Sequence, residues 1–295
     1  MNGMELGGGM KIKRKVFLGI IMGAIIIANS VAVLTFIMHP SSDLMRPLRD
    51  LLHSISPFRP SRPTLQNETV ERLNNRYNAT IVTRIWVSER PKEIMEEMLI
   101  KYTDESGNHS ATFWGEMRNS FDWIKTNTSE NSVFLCFWFY GHMIKGYAER
   151  DVVARNPSKE LILTPGYAAD PSLVKELDPH ERIVDIATAF TTMDLNVTAQ
   201  IMEKYEAFYL LVDRKETNLR TQFYWFFKII NKEIRDFLEC DKDGWPIFPL
   251  KFTEMGRKTA LYRFATNENA TGFTLVYSDD WVNIYKLNRG GKERW

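Results

Sequence analysis

The sequence predicts an α+β protein: one N-terminal transmembrane helix, then a mixed helical and strand-built external domain that ends in antiparallel strands. Three observations predict it. Residues 16–38 form an uncharged run dominated by Ile, Val, Ala, Leu and Phe. Between residues 78 and 238, short apolar runs rich in β-branched and aromatic residues alternate with stretches of helical spacing. Near the C-terminus, two strand-like runs flank Ser278-Asp279-Asp280, the pattern of a β-hairpin.

The elements follow in order. Residues 1–15 are a basic tail in which Lys11, Lys13, Arg14 and Lys15 directly precede the apolar run. As a helix rising about 1.5 Å per residue, 16–38 spans roughly 35 Å, enough for a hydrocarbon core of about 30 Å. The basic flank places the N-terminus in the cytoplasm and the rest outside the cell membrane as a single-pass protein. A cleaved signal peptide is the alternative, but secretory apolar regions are shorter, about 7–15 residues. Residues 39–66, with Pro40, Pro47, Pro57, Pro60 and Pro63, read as a juxtamembrane linker. Residues 67–240 read as a mixed α/β core and 241–295 as a β-rich subdomain.

Within the core, 78–88 alternates like a strand, and Pro91 opens an expected helix over 92–102. Residues 104–109 are a loop, and Trp114, Met117, Phe121 and Ile124 predict a helix over 113–125. Residues 132–137 are a buried strand. Helices are expected over 178–191 and 196–206, the second capped by Asp194, and a buried strand over 207–212. A long aromatic helix is expected over 221–238. Residues 258–264, 272–277 and 281–287 are strand-like.

Over the 295 residues, 44% are hydrophobic, 25% charged and the formal net charge is +1, a balance that gives nucleic acid no basic face to bind. Cys136 and Cys240 are too few for a disulfide framework; Cys136 reads as a buried apolar residue, with a bridge to Cys240 left open. His39, His53, His109, His142 and His180 fall at no metal-ligand spacing, and no nucleophile elbow or phosphate-loop motif occurs. Asp241-Lys242-Asp243, followed by Gly244, reads as a turn before it reads as a metal site. Asn67, Asn78, Asn108, Asn127, Asn196 and Asn269 each open an Asn-X-Ser/Thr acceptor pattern, as suits an exported domain.

The distinctive segment is the apolar run from Asn131 to Phe139, which stops at Tyr140, Gly141 and His142. Around it lie Trp123-Ile124-Lys125, Ser132-Val133, Arg150, Ile186-Ala187, Ala189-Phe190, Lys204-Tyr205 and Tyr209–Asp213. This order resembles the catalytic subunit of oligosaccharyltransferase, archaeal type, whose external C-terminal domain carries a Trp-Trp-Asp-Tyr-Gly block. The likeness runs over residues 80–288. In that family the Trp-Trp-Asp part recognises the hydroxyl residue two positions after the acceptor Asn. The resemblance therefore implies a peptide-binding site at Phe137, Trp138, Phe139, Tyr140 and Gly141.

Here Phe137 replaces the first Trp and Phe139 replaces the Asp, so the block is a degenerate WWDYG motif. A phenyl ring cannot accept the hydroxyl hydrogen bond, worth about 1.5–3 kcal/mol when charge-assisted. Family enzymes also use a divalent metal held by carboxylates between many membrane spans, and those positions have no counterpart in this sequence. The resemblance implies no cofactor and no catalytic residue here. It describes a pseudoenzyme: a membrane-anchored, non-catalytic accessory or peptide-binding component of protein N-glycosylation. Its expected partners are the lipid bilayer, through one helix, and extended peptides. A multi-span glycosyltransferase that it completes, or an envelope interaction role outside glycosylation, are the alternatives. Residues 137–139 as plain core or as an interface patch also remain open.

Overall fold

Two sheets organise the chain. The computed structural model describes residues 63–73, 76–89, 92–165, 167, 176–242 and 244–288. The first sheet holds β1 (Thr64–Arg72), β2 (Thr80–Glu89), β3 (Lys92–Asp104) and β4 (Gly107–Trp114), in that spatial order. β1 pairs antiparallel with β2, and β3 with β4. The second sheet is five-stranded, in the order β6-β5-β7-β9-β8. Its members are β5 (Val133–Leu135), β6 (Asp151–Val152), β7 (Ala207–Asp213), β8 (Phe273–Ser278) and β9 (Val282–Leu287). β5 runs parallel to β6 and β7, while β9 pairs antiparallel with β7 and β8, so the C-terminal hairpin completes the sheet begun by β5.

The helices are α1 (Arg118–Asn127), α2 (Gly141–Gly146), α3 (Lys159–Ile162), α4 (His180–Thr191), α5 (Leu195–Lys204), α6 (Glu216–Ile229), α7 (Glu254–Lys258) and α8 (Ala260–Thr266). Residues 63–87 and 92–295 group as one unit, and its core runs from the first sheet through α1 and α2 to the second. Phe226 of α6 sits at the centre: its ring stacks on Phe190 of α4 at 5.3 Å and meets Phe137 and Trp138 edge-on at 5.5 and 5.7 Å. Offset and edge-to-face pairs of this kind add about 0.5–1.5 kcal/mol each to the area they bury.

The α+β class and the C-terminal antiparallel pair are as the sequence predicts, as are the cores of the strands near 78–88 and 207–212. Asp194 caps α5, accepting a hydrogen bond from the Asn196 N–H at 2.9 Å. Several elements differ. Residues 92–104 form strand β3, not a helix: Met98, Ile100 and Tyr102 are buried while Lys101 and Thr103 are exposed. That period of two outweighs the helix-forming Glu and Met content once neighbouring strands pair with it. The helix expected at 113–125 starts only at Arg118, because β4 extends through Trp114.

Residues 258–264 are helical, not a strand. Thr253 and Thr259 supply the N-caps of α7 and α8, accepting from the N–H groups of Gly256 and Tyr262. Asn267, at φ 60°, closes α8 in the left-handed conformation. The long helix expected over 221–238 runs instead from Glu216 to Ile229. Asn231, at φ 53°, ends it in a Schellman arrangement, with Lys232 N–H to Phe227 O at 2.9 Å and Asn231 N–H to Lys228 O at 3.3 Å.

β1 begins at Thr64, inside the stretch read as linker, and with β4 was not anticipated at all. The basic tail, the transmembrane helix of 16–38 and the linker up to residue 62 lie outside the described residues. Among the described residues no helix is long and apolar enough to cross a membrane.

Candidate functional site

β5 ends at Leu135, and Phe137 turns the chain into a short 3-10 turn, Trp138–Tyr140, that continues directly into α2. The turn splits its aromatics. Phe137, Trp138 and Tyr140 are 5%, 1% and 7% exposed, whereas Phe139 is 53% exposed. Phe137 and Trp138 are thus core, fixed against Phe226, and Phe139 alone is presented outward, 5.0 Å from the Phe137 ring that supports it. The Trp138 indole N–H donates to the Tyr167 hydroxyl at 3.1 Å, which satisfies its one polar atom.

Tyr140 faces the opposite way, into the second sheet. Its hydroxyl donates to the Asp213 carboxylate at 2.6 Å, and Asn218 donates to the same oxygen at 2.8 Å. Gln222 donates to the other oxygen. Asp213 is completely buried. Burial pushes its carboxyl up to about 6, against the pull of the three donors, from Tyr140, Asn218 and Gln222. Two blocks far apart in sequence, 137–141 and 209–213, are joined by this bond.

Gly141 is needed for space, not for a special turn. Its φ of −58° is ordinary helical backbone. A Cβ there would lie 2.6 Å from both the Ala154 carbonyl oxygen and the Arg155 Cα. The glycine therefore lets α2 press against the segment that carries Arg155 and Asn156.

That close approach builds one wall of an open groove of about 800 Å³. Phe139, Trp138 and Tyr167 line its aromatic side; Arg155, Asn156, Glu176, His109 and His142 line its polar side. Residues 108–112 of β4 border it as well. Strand side chains alternate between faces, so five consecutive bordering residues mark the strand's edge. Among the described residues β4 is the terminal strand of its sheet, and its run 108–112 borders the groove.

The polar wall is a connected network. Arg155 reaches the Asp104 carboxylate at 2.5 Å, Glu176 at 3.2 Å and the Tyr102 hydroxyl at 3.3 Å. His109 Nε2 sits 2.8 Å from Asp104, and His142 bridges the Tyr102 hydroxyl at 2.9 Å and Asn156 Oδ1 at 2.8 Å. Burial lowers the His142 pKa, so its imidazole is neutral near pH 7, with Nε2–H donating to Asn156 and Nδ1 accepting from Tyr102. Burial alone would raise Asp104, but hydrogen bonds from Ser106, His109 and Arg155 outweigh it and hold the carboxylate well below its usual range.

This donor set does not suit a divalent metal. Asp104 is already engaged by Ser106, His109 and Arg155, and Glu176 by Arg155. Among the described residues no group of three or more His, Cys, Asp or Glu could hold a metal ion.

The remaining sequence candidates are dispersed. Arg150 is buried and donates to the carbonyls of Lys125 and Thr128 at 2.7 Å each, closing the C-terminal end of α1. All six acceptor-pattern asparagines, Asn67, Asn78, Asn108, Asn127, Asn196 and Asn269, are exposed. Cys136 and Cys240 are both free thiols, so no bridge links them. Asp241 accepts from the Trp245 N–H at 2.9 Å, and Asp279 from the N–H groups of Trp281 and Val282 at 2.7 and 2.8 Å, both as turn residues. Sequence reasoning missed the polar wall. His109 and His142 were noted but share no spacing, because only the β3–β4 pairing brings the strand end against α2.

No protein-family model and no curated protein matches the chain. Among solved structures it is similar to the C-terminal globular domain of oligosaccharyltransferase from Archaeoglobus fulgidus, at 19% identity and a TM-score of 0.42. That match covers 59% of this chain and 97% of that domain. It is also similar to an archaeal oligosaccharyltransferase of the same organism, in complex with an inhibitory peptide and a dolichol-phosphate. There the identity is 12%, the TM-score 0.37, and the match covers 55% of this chain. The chain spans 23% of the length of that protein.

Proposed function

We propose that this chain is an oligosaccharyltransferase-related, non-catalytic component of protein N-glycosylation that binds extended peptides in the groove between Phe139 and the β4 edge. Residues 16–38 are its anchor, with the domain outside the cytoplasm. The observation that carries the reading is the presentation of Phe139: of the four consecutive aromatics 137–140 it alone is exposed, and it faces a groove bordered by a strand that is terminal in its sheet among the described residues. An extended peptide laid along β4 would gain main-chain hydrogen bonds, and its alternate side chains would reach the aromatic wall.

Phe139 changes what the groove selects. Without a carboxylate at this position, a Thr or Ser hydroxyl loses its charged acceptor, and the ring favours an apolar or methyl-bearing side chain in its place. The purified chain is titrated by fluorescence anisotropy with Asn-X-Thr, Asn-X-Val and scrambled peptides. The reading expects the Thr and Val peptides to bind within a fewfold of each other and Phe139→Ala to weaken both about 5–30-fold. Absence of binding, or binding indifferent to Phe139→Ala, removes the proposal. Phe139 is the appropriate probe because truncating the buried Trp138 would test stability first.

A further inference from the structure

A second site lies away from the groove, on α6 and the loop after it. Thr217, Arg220, Thr221, Tyr224 and Lys228 recur at spacings of three and four, so they share one face of α6. Against this face the loop lays Trp245 flat on Tyr224, ring centroids 4.6 Å apart and 11° from parallel. Lys228 Nζ sits 5.8 Å from the Tyr224 centroid. The stacked pair forms a ridge between two hollows of about 430 and 370 Å³.

The first hollow has Thr217, Arg220, Thr221 and Trp225 of α6 on the helix side and Pro246 and Phe248 of the loop on the other. The second is lined by Lys228, Asn231, Lys232 and Glu233. Trp245 is 49% exposed and Phe248 is 62% exposed. These are large aromatic surfaces to leave in water unless something covers them.

The ridge is held in place before any ligand arrives. Trp245 N–H donates to the Asp241 carboxylate at 2.9 Å, and Asp241 N–H to the Trp245 carbonyl at 2.8 Å. Gly244, at φ +87°, makes the bend between them, and Arg235 ties the loop to the helix side through the Lys242 carbonyl at 2.9 Å. A fixed platform loses little conformational freedom on binding.

We propose that this ridge binds the sugar rings of a glycan, with preference for chains that carry carboxylate groups. A pyranose has a face of polarised C–H bonds, which suits the negative π face of Trp245, and a rim of hydroxyls that need partners in the ring plane. The two hollows supply such partners on both sides: hydroxyls from Thr217 and Thr221, the Asn231 amide, and the Arg220, Lys228 and Lys232 cations. Three cations against one anion, Glu233, line the hollows and set the preference for acid sugars. A proline-rich peptide would also stack on the aromatics, but its only polar groups are carbonyls and it leaves that charge unused.

The test uses the full chain and three probes: trigalacturonate, maltotriose and a decaproline peptide, each followed by calorimetry and saturation-transfer NMR. Trigalacturonate is expected to bind more tightly than maltotriose and to lose affinity as salt rises. Trp245→Ala should weaken it at least about tenfold, or about 1.4 kcal/mol, and Trp245→Phe should restore most of the loss; far-UV circular dichroism and the melting temperature verify the fold of each. Failure of both saccharides to bind the folded wild-type chain at up to about 10 mM overturns the proposal. So does saccharide binding that Trp245→Ala leaves unchanged, or Trp245-dependent capture of decaproline in preference to either saccharide.

Discussion

Tyr140→Phe is the sharpest perturbation of the site's foundation, because it deletes one oxygen and creates no cavity of consequence. That oxygen donates at 2.6 Å to a carboxylate with no solvent exposure. Asp213 then keeps Asn218 and Gln222 as donors and has no water to replace the third. Losing a hydrogen bond to a charged group costs about 1.5–3 kcal/mol, and for a domain of this size each kcal/mol moves Tm by about 2–4 °C. Thermal and urea unfolding at pH 7.5 should therefore show a Tm drop of roughly 3–12 °C. Around pH 4 Asp213 is protonated in the native state, the hydroxyl serves a neutral partner, and the loss should fall to about 0.5–1.5 kcal/mol. Peptide affinity should be unchanged, since Tyr140 points away from the groove. Equal losses at both pH values, or no loss at pH 7.5, would refute the assignment of Tyr140 as the donor that keeps Asp213 tolerable.

Further outcomes follow from the same geometry. Gly141→Ala forces a methyl group into the 154–155 backbone and should destabilise by about 1–3 kcal/mol or more while displacing Arg155; unfolding curves and peptide titration should both respond. Phe139→Ala, by contrast, should alter stability by no more than about 0.5 kcal/mol, because the ring is mostly solvated. Arg150→Met should cost about 2–4 kcal/mol by leaving carbonyls at the end of α1 without a donor, measured by urea unfolding. The raised pKa of Asp213 favours the fold fully below about pH 4, and this contribution is lost as pH rises through about 6. The stability of the wild-type chain relative to Asp213→Asn should accordingly fall by about 2–2.5 kcal/mol between pH 4 and 7.

Much of this site was legible in the sequence at the level of segments. The stop of an apolar run at Tyr140-Gly141-His142 marked the place where the chain turns, but nothing in the sequence showed that Tyr140 would bond to Asp213 at the end of a strand 73 residues on. What the sequence could not display was direction. Phe137, Trp138 and Phe139 are chemically alike, and only the 3-10 turn decides that the first two enter the core and the third does not. Helix content misled at residues 92–104, where Lys, Glu and Met favour a helix in isolation but strand pairing imposes a period of two. At 258–264 the reverse occurred: the apolar run looked strand-like, and Thr253 and Thr259 were not recognised as helix caps. The polar wall was invisible for a different reason. Asp104, His109, His142, Arg155 and Glu176 meet only through tertiary contact, and no spacing along the chain announces it.

The central claim is that peptide occupies the space between Phe139 and the β4 edge, and amide hydrogen exchange reads that space directly. Saturating an Asn-X-Thr peptide should slow exchange across residues 108–112 and 138–143 and leave the outer strand β1 unchanged. Unaltered exchange at 108–112 under saturating peptide, or protection confined to another surface, would contradict it.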